Sequence, residues 1–299
     1  MKPLGIERGK TDRAKRPALR QRLAGMLSAR YTPAEADSLA RLFLEHLFQM
    51  PYTRAKMEGK ALTQSQLHQL RAMLSRSLRH EPWQYILGAL PFDALTLEVS
   101  PAVLIPRPET EELLGWACAE IRKSFPHEKP LSMLDMGTGS GCLALGLKHH
   151  FPEAGVSAVD ISEEALEVAR RNALRNKLEV KFLQADILLS PPPGIKLVDV
   201  IISNPPYVMI QDKAAMQPNV LAWEPWNALF APESDPLRFY RAILDWADEL
   251  LRPSALLFFE IHEKARPAMQ DLLGTRAYQD VRILKDFRGK DRFCMARKG

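Results

Sequence analysis

The chain has 299 residues, of which 46% are hydrophobic and 26% are charged, and its formal net charge is +5. These values are typical of globular proteins and exclude a disordered chain, a collagen-like chain and a disulfide-stapled mini-protein. No run approaches the roughly 18 uncharged apolar residues of a membrane span, and the N-terminus lacks the apolar core of a secretory signal. Three widely separated cysteines favour a reducing compartment, so we expect a cytoplasmic protein without a metal site.

Basic residues are concentrated at the N-terminus, where residues 1–22 contain eight Lys or Arg and only two acids. Aromatic side chains that could stack on bases are absent from this segment. Residues 1–16 are therefore interpreted as a basic flexible tail. An electrostatic contact with an acidic partner or with RNA is the alternative interpretation.

Residues 17–89 have the pattern of a helical domain. A capping box from Thr32 to Glu35 and a second from Thr63 to Gln66 each predict the start of a helix. Leucines at helical spacing follow both boxes. No recognisable catalytic set occurs here, so the chemistry is expected further along the chain.

The pattern changes near residue 90. Residues 90–107 alternate and contain three prolines, which predicts a hairpin or linker. Residues 108–299 form the predicted second domain, with strand-like and helix-like runs in alternation, which indicates βαβ units and a mostly parallel sheet. The predicted strands are Leu131–Met136, Val156–Asp160, Val180–Leu183, Leu197–Ser203, Ala255–Glu260, Val281–Leu284 and Phe293–Ala296. The helices predicted between them are Ser140–His150, Glu163–Asn176, Pro236–Leu251 and His262–Leu273.

Two features at the ends of predicted strands indicate an adenosine-bearing cofactor. The segment Gly137-Thr138-Gly139-Ser140-Gly141 follows the first of these strands, and its glycines allow a sharp turn and close approach of a ligand. Cys142 stands in the place of the third glycine of a dinucleotide-binding loop, which disfavours that class without excluding it. Asp160 ends the next strand, where a carboxylate can accept the hydroxyl protons of a ribose.

A third feature, Asn204-Pro205-Pro206-Tyr207, follows an apolar strand. Proline fixes φ and has no amide proton, so the Asn204 side-chain oxygen and the Pro205 carbonyl are predicted to form two fixed hydrogen-bond acceptors. Such a pair suits an NH2 group on a planar carbon, because that group offers two protons. Tyr207 is predicted to supply a flat face for stacking.

Together these motifs resemble the Rossmann-like class I S-adenosylmethionine-dependent methyltransferases that modify amino groups on planar carbons. That group includes adenine-N6 DNA, ribosomal-RNA and protein-glutamine methylases. Three further segments, residues 80–88 (HEPWQYILG), 104–111 (LIPRPETE) and 224–229 (EPWNAL), resemble the HemK/PrmC family. Its members are N5-glutamine methyltransferases of peptide-chain release factors, and the resemblance extends from about residue 17 to the C-terminus.

The resemblance implies an α/β fold in which a small N-terminal helical domain, which docks the substrate, precedes a seven-stranded sheet ending in an antiparallel hairpin. It implies S-adenosylmethionine as cofactor and the GGQ-loop glutamine of class I release factors as methyl acceptor. No membrane or direct nucleic-acid partner is expected, and the protein is expected to be a monomer. The implied cofactor-binding residues are Gly137, Thr138, Gly139, Ser140, Gly141, Asp160, Asp186, Ile187 and Asn204. The implied catalytic residues are Asn204, Pro205, Pro206 and Tyr207.

Several expectations stay open at this stage. The segment 106–111 should cover the cofactor, and His262, where the family often has glycine, should cap or crowd a helix without touching the chemistry. Arg288, Lys290 and Arg292 are expected in a solvated turn. The alternatives are a nucleic-acid amino methylase, a ribosomal-protein glutamine methylase, a non-catalytic binding module and an NAD-dependent oxidoreductase.

Overall fold

The computed structural model of the protein describes residues 18–126 and 130–299, so the predicted tail at residues 1–16 lies outside the described residues. The chain divides into two compact units, with the boundary between Leu87 and Gly88. In the two described ranges, no helix has both the length and the apolar character needed to cross a membrane.

The first unit is built from helices. They are α1 (Leu19–Leu27), α2 (Pro33–Phe48), α3 (Tyr52–Met57), α4 (Gln64–Ser77) and α5 (Trp83–Leu87). Both predicted helix starts are confirmed, because Thr32 and Thr63 exchange hydrogen bonds with the residues three positions later. Phe43 and Leu44 of α2 are fully buried against leucines of α1 and α4. This unit therefore has its own hydrophobic core.

The second unit begins with a hairpin, β1 (Ala89–Phe92) and β2 (Leu95–Glu98), and then α6 (Pro108–Ser124). The following elements alternate as predicted. They are β3 (Ser132–Met136), α7 (Cys142–His150), β4 (Gly155–Asp160), α8 (Glu163–Asn176), β5 (Lys181–Gln184), β6 (Val198–Ser203), a 3-10 turn (Ile210–Ala215), α9 (Pro218–Trp223), α10 (Trp226–Leu229), α11 (Arg238–Leu250), β7 (Leu251–Glu260), α12 (Arg266–Gly274), β8 (Tyr278–Lys285) and β9 (Asp291–Lys298).

Seven strands form one sheet in the order β5-β4-β3-β6-β7-β9-β8. The strands β3 to β7 run parallel, and β9 pairs antiparallel with both β7 and β8. The predicted parallel sheet and its antiparallel hairpin are therefore confirmed. Strand order reverses between β3 and β6, and ligands of such sheets bind at the carboxyl ends of strands beside that point.

Both faces of the sheet are buried. Ile202 of β6 packs with α6 and α7 on one face, whereas its neighbour Ile201 packs with α11 and α12 on the other. Strands covered on both faces are apolar at consecutive positions rather than at alternate ones. This explains why the strands are recognisable as short apolar runs in the sequence.

Several predicted boundaries were wrong, and the two largest differences are each four residues. The strand β7 begins at Leu251 rather than Ala255, because Leu251 pairs with Val198 across an irregularity in the ladder. The helix α12 begins at Arg266 rather than His262, and a proline occupies its first turn, where a missing amide proton costs nothing.

The contact between α6 and α7 requires a glycine at position 146. A Cβ there would overlap the Cδ2 of buried Leu114, so Gly146→Ala is expected to destabilise the protein by about 1–3 kcal/mol. The matched control is Gly115→Ala on the exposed side of α6, where a Cβ meets no atom within 4 Å. That control should stabilise by about 0.5–1 kcal/mol through helix propensity. Urea unfolding measures both, and equal stability of the two variants would contradict the packing.

Candidate active site

The glycine-rich loop connects β3 to α7 at the strand-order reversal. Gly137, Gly139 and Gly141 have φ values of +75°, +53° and +84°. Side chains rarely adopt this left-handed region, whereas glycine enters it without steric cost. The alternate glycines are thus explained by the backbone conformation of the loop.

Asp160, the last residue of β4, is bonded to this loop. Its Oδ2 accepts a hydrogen bond from the Gly139 amide at 2.8 Å, and its Oδ1 accepts one from the Ser162 amide at 3.0 Å. Burial raises the pKa of the carboxyl, while the backbone amides act in the opposite direction. Each carboxylate oxygen can accept more than one hydrogen bond, so Asp160 keeps capacity for hydroxyl donors of a ligand.

A cavity of about 290 Å³, here called the glycine-loop cavity, lies at these strand ends. The predicted residues that line it are Gly137, Thr138, Gly139, Ser140, Asp160, Asp186, Ile187, Asn204 and Pro206. Pro106 and Thr110 of the segment 106–111 line it as well. Gly141 is not part of the lining, because it packs against α8, where its Cβ would lie 3.2 Å from that of Ala169.

Behind the loop, Asp135 is a buried acid with an unusual environment. Its Oδ2 accepts hydrogen bonds from the Thr138 hydroxyl at 2.7 Å and the Ala144 amide at 3.1 Å. Its Oδ1 is buried without a hydrogen-bond partner. Burial raises the pKa of this carboxyl to about 7, although the two hydrogen bonds oppose the shift.

The raised pKa of Asp135 predicts a pH-dependent stability. The unfolded chain ionises this group near pH 4 and the folded chain near pH 7, so stability falls as pH rises through that window. Asp135→Asn removes this ionisation. Between pH 4 and pH 7, the free energy of unfolding of the variant should therefore rise relative to that of wild type by up to about 4 kcal/mol. Urea titrations without cofactor at both pH values measure this difference, and a constant difference would contradict the assignment.

A second cavity of about 380 Å³, here called the Tyr207 cavity, adjoins the first. Pro205 and Tyr207 line it, whereas Pro206 lines the glycine-loop cavity. The two cavities share Leu104, Asn204 and Ala228. The predicted Asn-Pro-Pro-Tyr segment therefore lies at the junction of two cavities, with Asn204 facing both.

A hydrogen-bond network that the sequence analysis missed supports this segment. Glu260, at the end of β7 and 1% exposed, accepts hydrogen bonds from the Tyr207 hydroxyl at 2.8 Å and the Thr110 hydroxyl at 2.7 Å. The Asn204 Nδ2 in turn donates to Thr110 Oγ1 at 3.1 Å. Burial raises the pKa values of both Glu260 and Tyr207, so Tyr207 stays a neutral hydroxyl donor.

The expected solvated turn is wrong for Arg292. Since β9 already begins at Asp291, Arg292 is a strand residue, and its side chain is only 13% exposed. Its Nε donates to Asp286 at 3.2 Å, and its guanidinium lies 6.0 Å from the centroid of the Tyr207 ring. Arg288 is mostly exposed but also lines the Tyr207 cavity.

His262 lies closer to the site than expected. Its ring meets the Tyr207 ring edge-to-face with centroids 6.2 Å apart, and its Nε2 lies 3.4 Å from an Asp212 carboxylate oxygen. Its Nδ1 accepts a hydrogen bond from the Lys264 amide at 3.2 Å within the turn before α12, so it does not cap that helix as expected. Burial lowers the pKa of His262.

Two separate sequence segments meet through Glu224, which is 3% exposed. It forms an ion pair with Arg107 at 2.6 Å and accepts a hydrogen bond from the Ile105 amide at 3.1 Å. The segment before α6 is thereby attached to the loop that follows Tyr207. Both segments carry residues that line the two cavities.

Comparisons with known proteins agree with this architecture. A family described as the PrmC N-terminal domain matches residues 18–88, and one described as the methyltransferase small domain matches residues 120–222. A solved methyltransferase from Pyrococcus furiosus covers 78% of this chain and 98% of its own, with a TM-score of 0.50 and 21% identity. The hMettl16 catalytic domain in complex with an RNA hairpin covers 68% and 74%, with a TM-score of 0.53 and 18% identity. At these identities the structural similarity shows the fold alone.

The fold is that of a class I S-adenosylmethionine-dependent methyltransferase. A release factor glutamine methyltransferase of Bacteroides thetaiotaomicron is 41% identical over 270 residues, which cover 90% of this chain and 95% of that protein. One of Flavobacterium psychrophilum is 36% identical and covers 89% and 93%. The chain belongs to the release factor glutamine methyltransferase family.

Proposed function

We propose that this protein transfers a methyl group from S-adenosylmethionine to the side-chain amide nitrogen of the glutamine in the GGQ loop of class I release factors. The observation that carries the proposal is the position of Asn204 at the junction of two cavities. One cavity would hold the cofactor and the other the glutamine. We place the reaction in the cytoplasm, where release factors act, and propose that a monomer performs it.

The glycine-loop cavity fits the cofactor. The left-handed glycines leave room for a ligand against the backbone, and Asp160 retains acceptor capacity for two ribose hydroxyls. Asp186 uses one carboxylate oxygen to accept from the Leu188 amide at 2.9 Å, which leaves the other for an adenine amino group. Ile187 supplies apolar surface in the same wall. Thr138 and Ser140 would face the methionine part.

The methyl acceptor is the weaker reactant. An amide nitrogen is a poor nucleophile because its lone pair is delocalised into the carbonyl, whereas the cofactor supplies a methyl group already activated on a sulfonium. Hydrogen bonds from both N–H groups to Asn204 Oδ1 and the Pro205 carbonyl would raise the electron density on nitrogen and fix its direction. Orientation of this kind is worth several kcal/mol when the reacting atoms lie about 3–3.5 Å apart.

The transfer itself is a displacement. S-Adenosylmethionine would supply the methyl group, and the lone pair of the glutamine nitrogen would form the new N–C bond as the S–C bond breaks and its electron pair stays on sulfur. The surplus amide proton leaves to water or to the Asn204 carbonyl after transfer begins. Pro205 lines the cavity proposed for the acceptor and Pro206 the cavity proposed for the cofactor, so the rigid proline pair would help fix the point where the two reactants meet.

The first unit is proposed to dock the protein substrate. A three-residue loop cannot specify one protein, because glutamine is common, so recognition requires a larger surface. The family match to residues 18–88 covers this unit, and its helices carry a core of their own. A release factor should therefore be a much better substrate than a short GGQ peptide.

The proposal is tested with labelled S-adenosylmethionine and four candidate acceptors: a class I release factor, ribosomal proteins, rRNA and adenine-containing DNA. We expect label in the release factor, with tandem mass spectrometry placing one added methyl on the GGQ glutamine. Preferential labelling of rRNA or DNA would favour the nucleic-acid amino methylase. Preferential labelling of a ribosomal protein would favour the related glutamine methylase.

A further inference from the structure

The orientation of the Asn204 carboxamide is determined by its neighbours. Thr110 Oγ1 has one proton, and the Glu260 oxygen 2.7 Å away is the acceptor that takes it. The same oxygen of Thr110 can then only accept from Asn204. The end of the Asn204 side chain that faces Thr110 must therefore be the NH2 group, which lies 3.1 Å from it. The Oδ1 atom consequently faces away from Thr110.

Two hydroxyl donors support the ionised form of Glu260 that this arrangement needs. The Thr110 hydroxyl donates a hydrogen bond to one carboxylate oxygen of Glu260, and the Tyr207 hydroxyl donates to the other at 2.8 Å. Burial raises the pKa of Glu260, whereas these two hydrogen bonds and the positive charge of Arg292 oppose that rise. Both Thr110 and Glu260 are almost completely buried, at 2% and 1% exposure, so water does not compete for these bonds.

We propose that Glu260 and Thr110 are positioning residues, which fix the Asn204 carboxamide so that its oxygen faces the methyl acceptor and the site selects glutamine over glutamate. This inference rests on the proposed function. Neither residue needs to touch the substrate amide, because each acts through Asn204. The direction of hydrogen bonding therefore runs from Asn204 through Thr110 to Glu260.

The fixed orientation explains selection between two side chains of nearly equal shape. In this proposal Oδ1, which points away from Thr110, faces the acceptor together with the Pro205 carbonyl, and the junction presents two hydrogen-bond acceptors. A glutamine NH2 group has two protons to donate to them. A glutamate carboxylate has none at neutral pH and would bring two more oxygens against them. If Asn204 turned over, its NH2 would instead oppose the glutamine NH2 and attract a carboxylate.

Thr110→Val tests the proposal, because valine keeps the shape of threonine and removes the oxygen that holds Asn204. We expect kcat to fall by about 10- to 100-fold, as for other small misplacements of reacting groups. The Kd of S-adenosylmethionine, measured by calorimetry, should stay within about threefold. Thr110→Ser keeps the hydroxyl oxygen and should have most of the wild-type kcat. If Thr110 only filled space, serine, which is smaller than valine, would not be the better replacement.

A second readout follows binding rather than turnover. A release factor with glutamate in place of the GGQ glutamine is used as a competitor against wild type, Thr110→Val and Glu260→Gln. Wild type should prefer the glutamine form, and both variants should lose much of that preference, since either change frees the Asn204 carboxamide to turn. Because Glu260→Gln changes a different residue of the same network, a shared loss of preference could not be caused by a folding defect at position 110 alone.

The outcomes separate this inference from the proposed function. Wild type that methylates no release factor overturns the proposed function, and with it the inference. Wild type that is active beside a Thr110→Val variant with full kcat and unchanged glutamine preference overturns the inference alone. Equal losses of cofactor binding and turnover in Thr110→Val, or failure of Thr110→Ser to recover, would assign Thr110 a structural role and also overturn it.

Discussion

Asn204→Ala is expected to lower kcat by about 100- to 1,000-fold while the Kd of S-adenosylmethionine changes by less than about tenfold. The side chain lies at the junction of both cavities, and its oxygen is one of the two hydrogen-bond acceptors proposed for the glutamine amide. Its loss leaves one N–H group without a partner and the nitrogen without a fixed direction. We propose that cofactor binding depends mainly on the loop and Asp160, which the substitution does not change.

The matched control for this variant is Asn219→Ala. Asn219 lies in α9 and belongs to the lining of neither cavity, so its removal should leave kcat within about twofold. Single-turnover methyl transfer to a release factor measures the chemical step in each variant, and calorimetry measures cofactor binding. Transfer at the wild-type rate by Asn204→Ala would show that the hydrogen-bonding account of the methyl acceptor is wrong.

Asp160→Ala should weaken S-adenosylmethionine binding by about 100-fold, because it removes the carboxylate proposed to accept two ribose hydroxyls. Hydrogen bonds to a charged group contribute about 1.5–3 kcal/mol each, and a hundredfold change in Kd corresponds to about 2.7 kcal/mol. The substitution also removes the bonds from the Gly139 and Ser162 amides, although the Gly137 and Thr138 amides still attach the loop to the Val159 carbonyl of β4.

Asp160→Asn is the graded control, since it keeps one oxygen acceptor in nearly the same shape and loses the charge. Its Kd should lie between those of wild type and Asp160→Ala. Saturating cofactor should recover much of kcat in both variants, because neither change reaches the methyl acceptor. An unchanged Kd in Asp160→Ala would remove this residue from the cofactor site.

The sequence predicted the parts of the site that are contiguous along the chain. The glycine loop, Asp160 and Asn204–Tyr207 each follow an apolar strand, and parallel strands bring their carboxyl ends to one edge. The order of apolar strands and polar motifs along the chain was therefore enough to predict these positions without tertiary information. Most of the longer helices and strands were also predicted, whereas the short helices α3, α5, α9 and α10 were not, and several boundaries were wrong.

The missed residues act across long separations in sequence. Thr110 and Glu260 are 150 positions apart, and Arg107 and Glu224 are 117 apart, so their contacts depend on how α6 packs against the end of β7 and on the loop after Tyr207. An acid at the end of the apolar run that forms β7 was the one available signal for Glu260. Arg292 was misplaced because the start of β9 depends on its antiparallel partner.

The central claim concerns where the glutamine carboxamide lies. A crystal structure with S-adenosylhomocysteine and a GGQ peptide tests it most directly. We predict the side-chain amide nitrogen in the Tyr207 cavity, within hydrogen-bond distance of both Asn204 Oδ1 and the Pro205 carbonyl and directed at the sulfur. A carboxamide bound elsewhere, or an Asn204–Tyr207 segment turned away from the sulfur, would contradict it.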